Sequence, residues 1–432
     1  MADRRAVGLW RSAGRVAAAC VLGAAVPLSG FNPLNNAGDK LHVDAHPVLA
    51  FLMPASLVGA LAIGCAIAWR RVPRWSVPHS LVAGFGLLLL GACLSLLHSD
   101  DRADSFAQIV TGLLAPLALF CGLRRAAVSR RVLALVLLLV SALLLLRADI
   151  VFFARNGWPT GTTLLRVKNL YEPHDFHYYG LQNPIPTGMF AVLILTFAAL
   201  WWAREPSTRW RWALIAVTGV ALVTLYLLYI RIALLLGLVV VGYTLFRVRF
   251  RLSAAVGVAV CVLAALVFVA VSGPSVHQAL DLLNISGEAR VHSVGFGFRT
   301  LAHHPLTGLG FGWASRSGAR TPAHSDVVQG GLEMGVAGFV GVAVLTAWLA
   351  REGWRAVRRD ARSVLSSAAF AALGLYALYA LVAGGVNAGV NSGLVSVWAL
   401  TCAVLLVIGL EGRCVAETAG EQAARASLTC EA

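Results

Sequence analysis

Charge is scarce in this chain: Asp, Glu, Lys and Arg supply 13% of its 432 residues, against roughly 25% in soluble domains. Hydrophobic residues make up 59% and mean hydropathy is +0.77. That excludes a globular domain carrying one anchor and indicates a polytopic membrane protein. Lysine is almost missing, with Lys40 and Lys168 the only two. The net charge of +15 is therefore arginine, and it sits in short connections between apolar runs rather than on one continuous face, which argues against a nucleic-acid partner. The eight cysteines lack metal-ligand spacing: Cys20, Cys65, Cys93, Cys121, Cys261 and Cys402 lie in apolar runs, and Cys414 and Cys430 in the tail. They form no disulfide framework. Also missing are an Asp-x-Asp signature, a glycine-rich phosphate loop with lysine, internal repeats and low-complexity segments. No cofactor is expected.

Long apolar runs are plentiful instead. A helix needs about 20 apolar residues to cross about 30 Å of hydrocarbon. Runs of that kind lie near 13–30, 47–69, 79–97, 105–122, 132–153, 185–203, 212–229, 232–246, 253–272, 330–350, 364–384 and 391–410, which predicts an all-α fold of about twelve spans. The first, "VAAACVLGAAVPLSG" behind a basic start, imitates a signal peptide but lacks a small-x-small cleavage site and reads as an uncleaved span. Basic clusters recur at alternate connections: Arg70, Arg71 and Arg74, then "LRRAAVSRR", "REPSTRWR", "RVRFR" and "REGWRAVRRDAR". Under the positive-inside rule these connections and both termini are cytoplasmic. Residues 212–246 would make one helix about 53 Å long, too long for a bilayer and wrong in parity. Two short spans with Arg231 at their outer turn satisfy both constraints. The same parity puts every histidine except His79 outside, several of them in two long outer loops at about 154–184 and 273–329. The second loop, between spans 9 and 10, reads as partly helical.

The outer side also gathers Arg102, Arg166, Lys168, Arg231, Arg290 and Arg299, with few acids among them. An outward cationic site at the membrane surface suits a phosphorylated lipid, and arginine is the apt residue because its planar fork grips phosphate bidentately. Arg231 stands in "LYLLYIRIALLLG", where a turn alone would more cheaply use Gly, Asn or Ser. Snorkelling to lipid phosphate is the bland alternative. Arg290 and Arg299 fall on a plausible helix ended by Pro305, followed by "GLGFG". In "RTPAHS", Thr321 reads as an N-cap with Pro322 next, placing His324 in the first turn of the tenth span. A helix N-terminus disfavours imidazolium, so His324 would stay neutral and able to accept a proton. An ordinary interfacial histidine is the bland reading. "HDFH" (His174 and His177) offers only two imidazoles without further ligands at recognisable spacing, so no metal is expected.

Taken in order, these stretches resemble the O-antigen ligase and polymerase superfamily of bacterial membrane glycosyltransferases. Arg231 followed by Leu235, Arg290 ahead of "HPLTGLGFG" (304–312), "HSDVVQGGLEMGVAG" (324–338) and "LQNPIPTG" (181–188) carry the likeness. Ser325 stands where many relatives have Asn. The resemblance implies a single transmembrane glycosyltransferase domain over 1–413 with a cytoplasmic tail at 414–432, in the bacterial inner membrane. It implies transfer of a glycan from undecaprenyl pyrophosphate to lipid A-core on the periplasmic side, inverting and metal-independent. His324, Arg231 and Arg290 would be catalytic; Arg102, Arg299 and Arg166 would help to bind pyrophosphate. Glu333 reads as a packing or orienting residue. A repeat-unit polymerase of the same superfamily would differ in its acceptor. An anionic-lipid transporter or flippase would instead place its charges near the bilayer midplane.

Overall fold

A computed structural model describes residues 2–28, 77–125, 128–156, 184–228, 231–245, 291–313, 325–358, 363–383 and 398–410. Among the described residues there is no strand, as the apolar runs predict. The helices are α1 (Ala2–Leu28), α2 (His79–Ser95), α3 (Arg102–Ile109), α4 (Ala115–Arg125), α5 (Arg130–Asn156), α6 (Pro184–Arg204), α7 (Thr208–Leu228), α8 (Arg231–Gly242), α9 (291–303), α10 (Asp326–Arg358), α11 (Val364–Ala383) and α12 (Trp398–Leu410). A π-helical turn, Val110–Leu114, joins α3 to α4. Among the described residues, five helices are long and apolar enough to cross a membrane: Arg130–Ala154, Thr187–Arg204, Thr208–Leu228, Asp326–Arg358 and Val364–Leu381. Shorter apolar helices accompany them. The protein is thus an apolar helical bundle of the multi-pass membrane kind. The expected spans near 47–69 and 253–272, and most of both long loops, lie outside the described residues, and the count of twelve lies there with them.

Lipid supplies no hydrophobic drive between helices, so close packing of small residues has to hold them. The α2–α10 contact shows this. A Cβ on Gly91 would come within 2.9 Å of the Gly338 nitrogen, and one on Gly341 within 3.0 Å of the Leu88 nitrogen. The α10–α11 contact repeats it, where a Cβ on Gly353 would lie 2.6 Å from the Gly374 Cα. Both pairs are antiparallel. A core of large side chains, including Phe152, Phe190, Phe197 and Tyr379, fills the space between the helices.

One end of the bundle is basic. Arg131 at the start of α5 bonds Glu205 at 2.5 Å, and Glu205 lies in the turn between α6 and α7. The backbone of Ser129 also meets that of Arg15 in α1. Arg204, Tyr243, Val357 and Val364 line one small cavity, so the ends of α6, α8 and α10 and the start of α11 share this side too. Arg130 and Arg131, Arg204, Arg209 and Arg211 thus share this end, while Arg70, Arg71, Arg74 and "RVRFR" lie outside the described residues.

Glu205 is only 3% exposed. Its carboxylate accepts from Arg131, from Trp201 Nε1 (2.9 Å) and from the Ser207 N–H (3.1 Å). Glu205→Ala would strand two buried donors, while half-exposed Arg131 would rehydrate. The expected loss is about 2–3 kcal/mol, read as a Tm several degrees lower in detergent. An unchanged Tm would show that this lock contributes nothing.

Helices α7 and α8 test the parity argument directly. α7 ends at Leu228 and α8 begins at Arg231. A Cβ on Gly237 would meet Leu225 at 2.8 Å, so the two run antiparallel. They form a hairpin of two short helices, with Arg231 at the end opposite the basic clusters.

Candidate functional site

At that opposite end, the residues after α9 run into a break in α10. Pro305 stops α9, since a proline ring clashes within a continuing helix. In α10, Gly335 has φ 67° and ψ −159°, which interrupts the helical bonding. The segment 304–313 fills the gap. The Val336 N–H donates to the Pro305 carbonyl (2.7 Å), and the Leu309 N–H to the Leu332 carbonyl (2.8 Å). Further along, the Gly312 N–H donates to Glu333 Oε2 (3.2 Å), while Gln329 Nε2 donates to Oε1 of the same carboxylate (2.8 Å).

The opposite flank is held by serines from α2 and α3. The Phe311 N–H donates to Ser95 Oγ (3.2 Å), and the Ser105 hydroxyl to the Phe311 carbonyl (2.7 Å). Ser99 and Ser105 hydroxyls lie 2.6 Å apart. Gly308, Gly310 and Gly312 all take positive φ. Gly312 is also crowded: a Cβ there would sit 1.8 Å from Gln108 Oε1, so that side chain would have to move. The stretch "HPLTGLGFG" and the described part of the second, "SDVVQGGLEMG" (325–335), are therefore one interlocked unit.

Beneath this unit lies an apolar cavity of about 200 Å³ between α2, α4, α10, α11 and α12. Leu88, Phe120, Leu345 and Leu373 form its walls, and Phe311 and Met334 bring the interlock to its edge. Gly112 and Leu113 of the π turn also face it. Its polar features are few: buried Asp326, with Tyr376 Oη 3.5 Å from Asp326 Oδ2, and Cys402. Trp398 stands edge-on to Tyr376. A site so lined can take an apolar chain or ring and meet a hydroxyl at one end. Among the described residues no group of three or more His, Cys, Asp and Glu gathers to hold a metal.

No protein-family model matches the chain, and no curated protein does. The functional reading rests on the residues and their arrangement.

The five arginines and one histidine expected to act divide as follows. Arg102 opens α3 and is exposed, following the Ser99–Asp101 turn at the interlock. Arg299 is exposed on α9, five residues ahead of His304. Among the described residues neither side chain has a hydrogen-bond or ion-pair partner. Arg231 opens α8 at the same end of the bundle. His324, Arg290 and Arg166 lie outside the described residues.

One expectation is corrected. α10 begins at Asp326, with the Gln329 N–H bonded to the Ser325 carbonyl (2.8 Å), so Ser325 rather than Thr321 occupies the N-cap position. Serine is a favoured cap and Asp326 suits the first turn, so the start shifts without penalty. His324 precedes the helix instead of lying in its first turn.

Sequence reading missed Ser95, Ser105, Asp326 and Tyr376. The serines left one faint signal, "CLSLLHSDDRADS", in which Ser95 and Ser99 are one turn apart at the end of an apolar helix. The adjacent His303 and His304 differ in their surroundings. His303 is exposed, while His304 sets its ring 5.1 Å from that of His98.

Proposed function

We propose that the chain is a membrane glycosyltransferase of the O-antigen ligase type, with about twelve spans, both termini in the cytoplasm and the interlocked end facing the periplasm. The donor is a glycan on undecaprenyl pyrophosphate and the acceptor a hydroxyl of lipid A-core. Arg231 and Arg290 bind the pyrophosphate, with Arg102, Arg299 and Arg166 contributing to the cradle. His324 takes the proton from the acceptor hydroxyl. Its oxygen then forms the new bond to the anomeric carbon as the bond to the pyrophosphate oxygen breaks, inverting the centre. Undecaprenyl pyrophosphate departs with its charge held by the arginines.

The observation that carries this reading is the interlock. The two stretches bearing the family likeness pack against each other at the end opposite the basic clusters, and Arg231 opens its helix at that same end. The cavity edged by Phe311 and closed by Asp326 offers an apolar berth beside it.

A deletion strain complemented with the wild-type gene tests the proposal. Its lipopolysaccharide is compared with its undecaprenyl-linked glycans. Bare core with long chains accumulating on undecaprenyl, both reversed by the gene, is the expected result. Core bearing a single repeat would point to a polymerase, and unchanged lipopolysaccharide with unchanged lipid-linked glycans would sink the reading.

A further inference from the structure

We infer that Glu333 is a positioning residue for glycan transfer: its buried carboxylate fixes the far half of segment 304–313 to the first turn of α10. This rests on the proposed transferase reading, and deepens it by naming a residue that acts through the interlock rather than on substrate.

Three observations carry it. First, Glu333 is 0% exposed in a helix otherwise fit for lipid. An ionisable side chain in such a place is expensive and is kept only where it has partners and a use. Helix packing alone would be better served by leucine or methionine, which flank it as Leu332 and Met334.

Second, its two oxygens face two different parts of the chain. Oε2 holds the Gly312 N–H, and Oε1 holds the Gln329 side-chain amide one turn earlier on α10. The Gln329 backbone N–H in turn takes the Ser325 carbonyl. One carboxylate thus joins the Gly312 backbone to the Gln329 side chain in the first turn of α10.

Third, the near half of the segment is fastened without it. The bonds from Leu309 to Leu332 and from Val336 to Pro305 are wholly backbone; in the far half Phe311 is held by Ser95 and Ser105, which leaves Gly312 as the point that depends on Glu333. Loss of the carboxylate should therefore loosen the Gly312 side while the bundle and the near half stay folded. That separates positioning from mere support.

The test uses the full chain in detergent, as wild type, Glu333→Ala and Glu333→Gln. Hydrogen exchange is followed in peptides over 304–309 and 310–313. Transfer is followed with an undecaprenyl-pyrophosphate-linked glycan and lipid A-core. For Glu333→Ala we expect faster exchange confined to 310–313, a single cooperative melt with Tm several degrees lower because two buried donors lose their acceptor, and kcat lower by about 100-fold with KM for the donor little changed, the scale of a misplacement of about 1 Å. Glu333→Gln should recover most of this, because its amide oxygen can accept from Gly312 while Gln329 turns its carbonyl to the new amide.

Wild-type kcat in Glu333→Ala would overturn the inference, as would unchanged exchange at 310–313. So would a parallel collapse of melting and activity in both variants, which would mark a structural role only. If the wild type itself transfers no glycan, the transferase reading fails, and the exchange pattern still decides whether Glu333 clamps the segment.

Discussion

Replacing His324 by alanine is expected to abolish glycan transfer while the protein still accumulates in the membrane. A positioned general base contributes about 10²–10⁴-fold. Alanine there leaves the acceptor hydroxyl without the proposed proton acceptor. The helix that follows should not suffer, because α10 starts at Asp326 behind its own Ser325 cap and is fastened by the interlock. In the complemented deletion strain, His324→Ala should leave bare core and lipid-linked glycan, indistinguishable from the empty vector, with wild-type protein levels on a blot. Arg231→Ala should give the same result, and Arg231→Lys should rescue poorly, since an ammonium cannot supply the planar bidentate fork. Long-chain lipopolysaccharide restored by His324→Ala would end the mechanism proposed here, whatever the chain's family.

The helices and their common basic end were legible because both signals are local. Apolar run length sets each element, and arginine placement sets its direction. Arg231 is the clearest case: one charge in a long apolar stretch, and α8 begins on it. The interlock was legible only in part. "GLGFG" announced backbone freedom, yet nothing near it says that Gly312 would face a carboxylate 21 residues away. Glu333 read only as a packing or orienting residue, because its partners, the Gly312 N–H and the Gln329 amide, come from tertiary packing and helix register. Ser95 was opaque for a different reason. Its hydroxyl bonds its own helix at Ala92 as well as receiving the Phe311 N–H, and only the first of these has a sequence pattern. The cap of α10 failed because two valid start signals compete within six residues, Thr-Pro and Ser-Asp, and local propensity does not choose between them.

Gly335→Ala is expected to be the most damaging single-methyl change in the described residues. Its backbone, at φ 67° and ψ −159°, lies in a region that is essentially glycine-only, where another residue costs about 1–3 kcal/mol. Space is lacking as well. The added Cβ would stand 2.4 Å from the Pro305 carbonyl oxygen and 2.7 Å from the Leu306 carbonyl carbon, both of them backbone atoms that cannot swing aside. Relief would require pulling the 304–313 segment out of the break in α10, which gives up the Val336–Pro305 bond and moves Gly312 from Glu333. Together the expected loss is about 3–5 kcal/mol, enough to lower Tm by ten degrees or more or to stop accumulation. Gly219→Ala on α7 is the matched control: its Cβ would meet nothing within 4 Å, and its backbone is helical. There alanine should be neutral or slightly stabilising. Both variants carry the same added methyl, so a melt in which Gly335→Ala and Gly219→Ala coincide would mean that the break in α10 is not built as described. A large gap between them would locate the strain at the one position where the two halves of the interlock meet backbone to backbone.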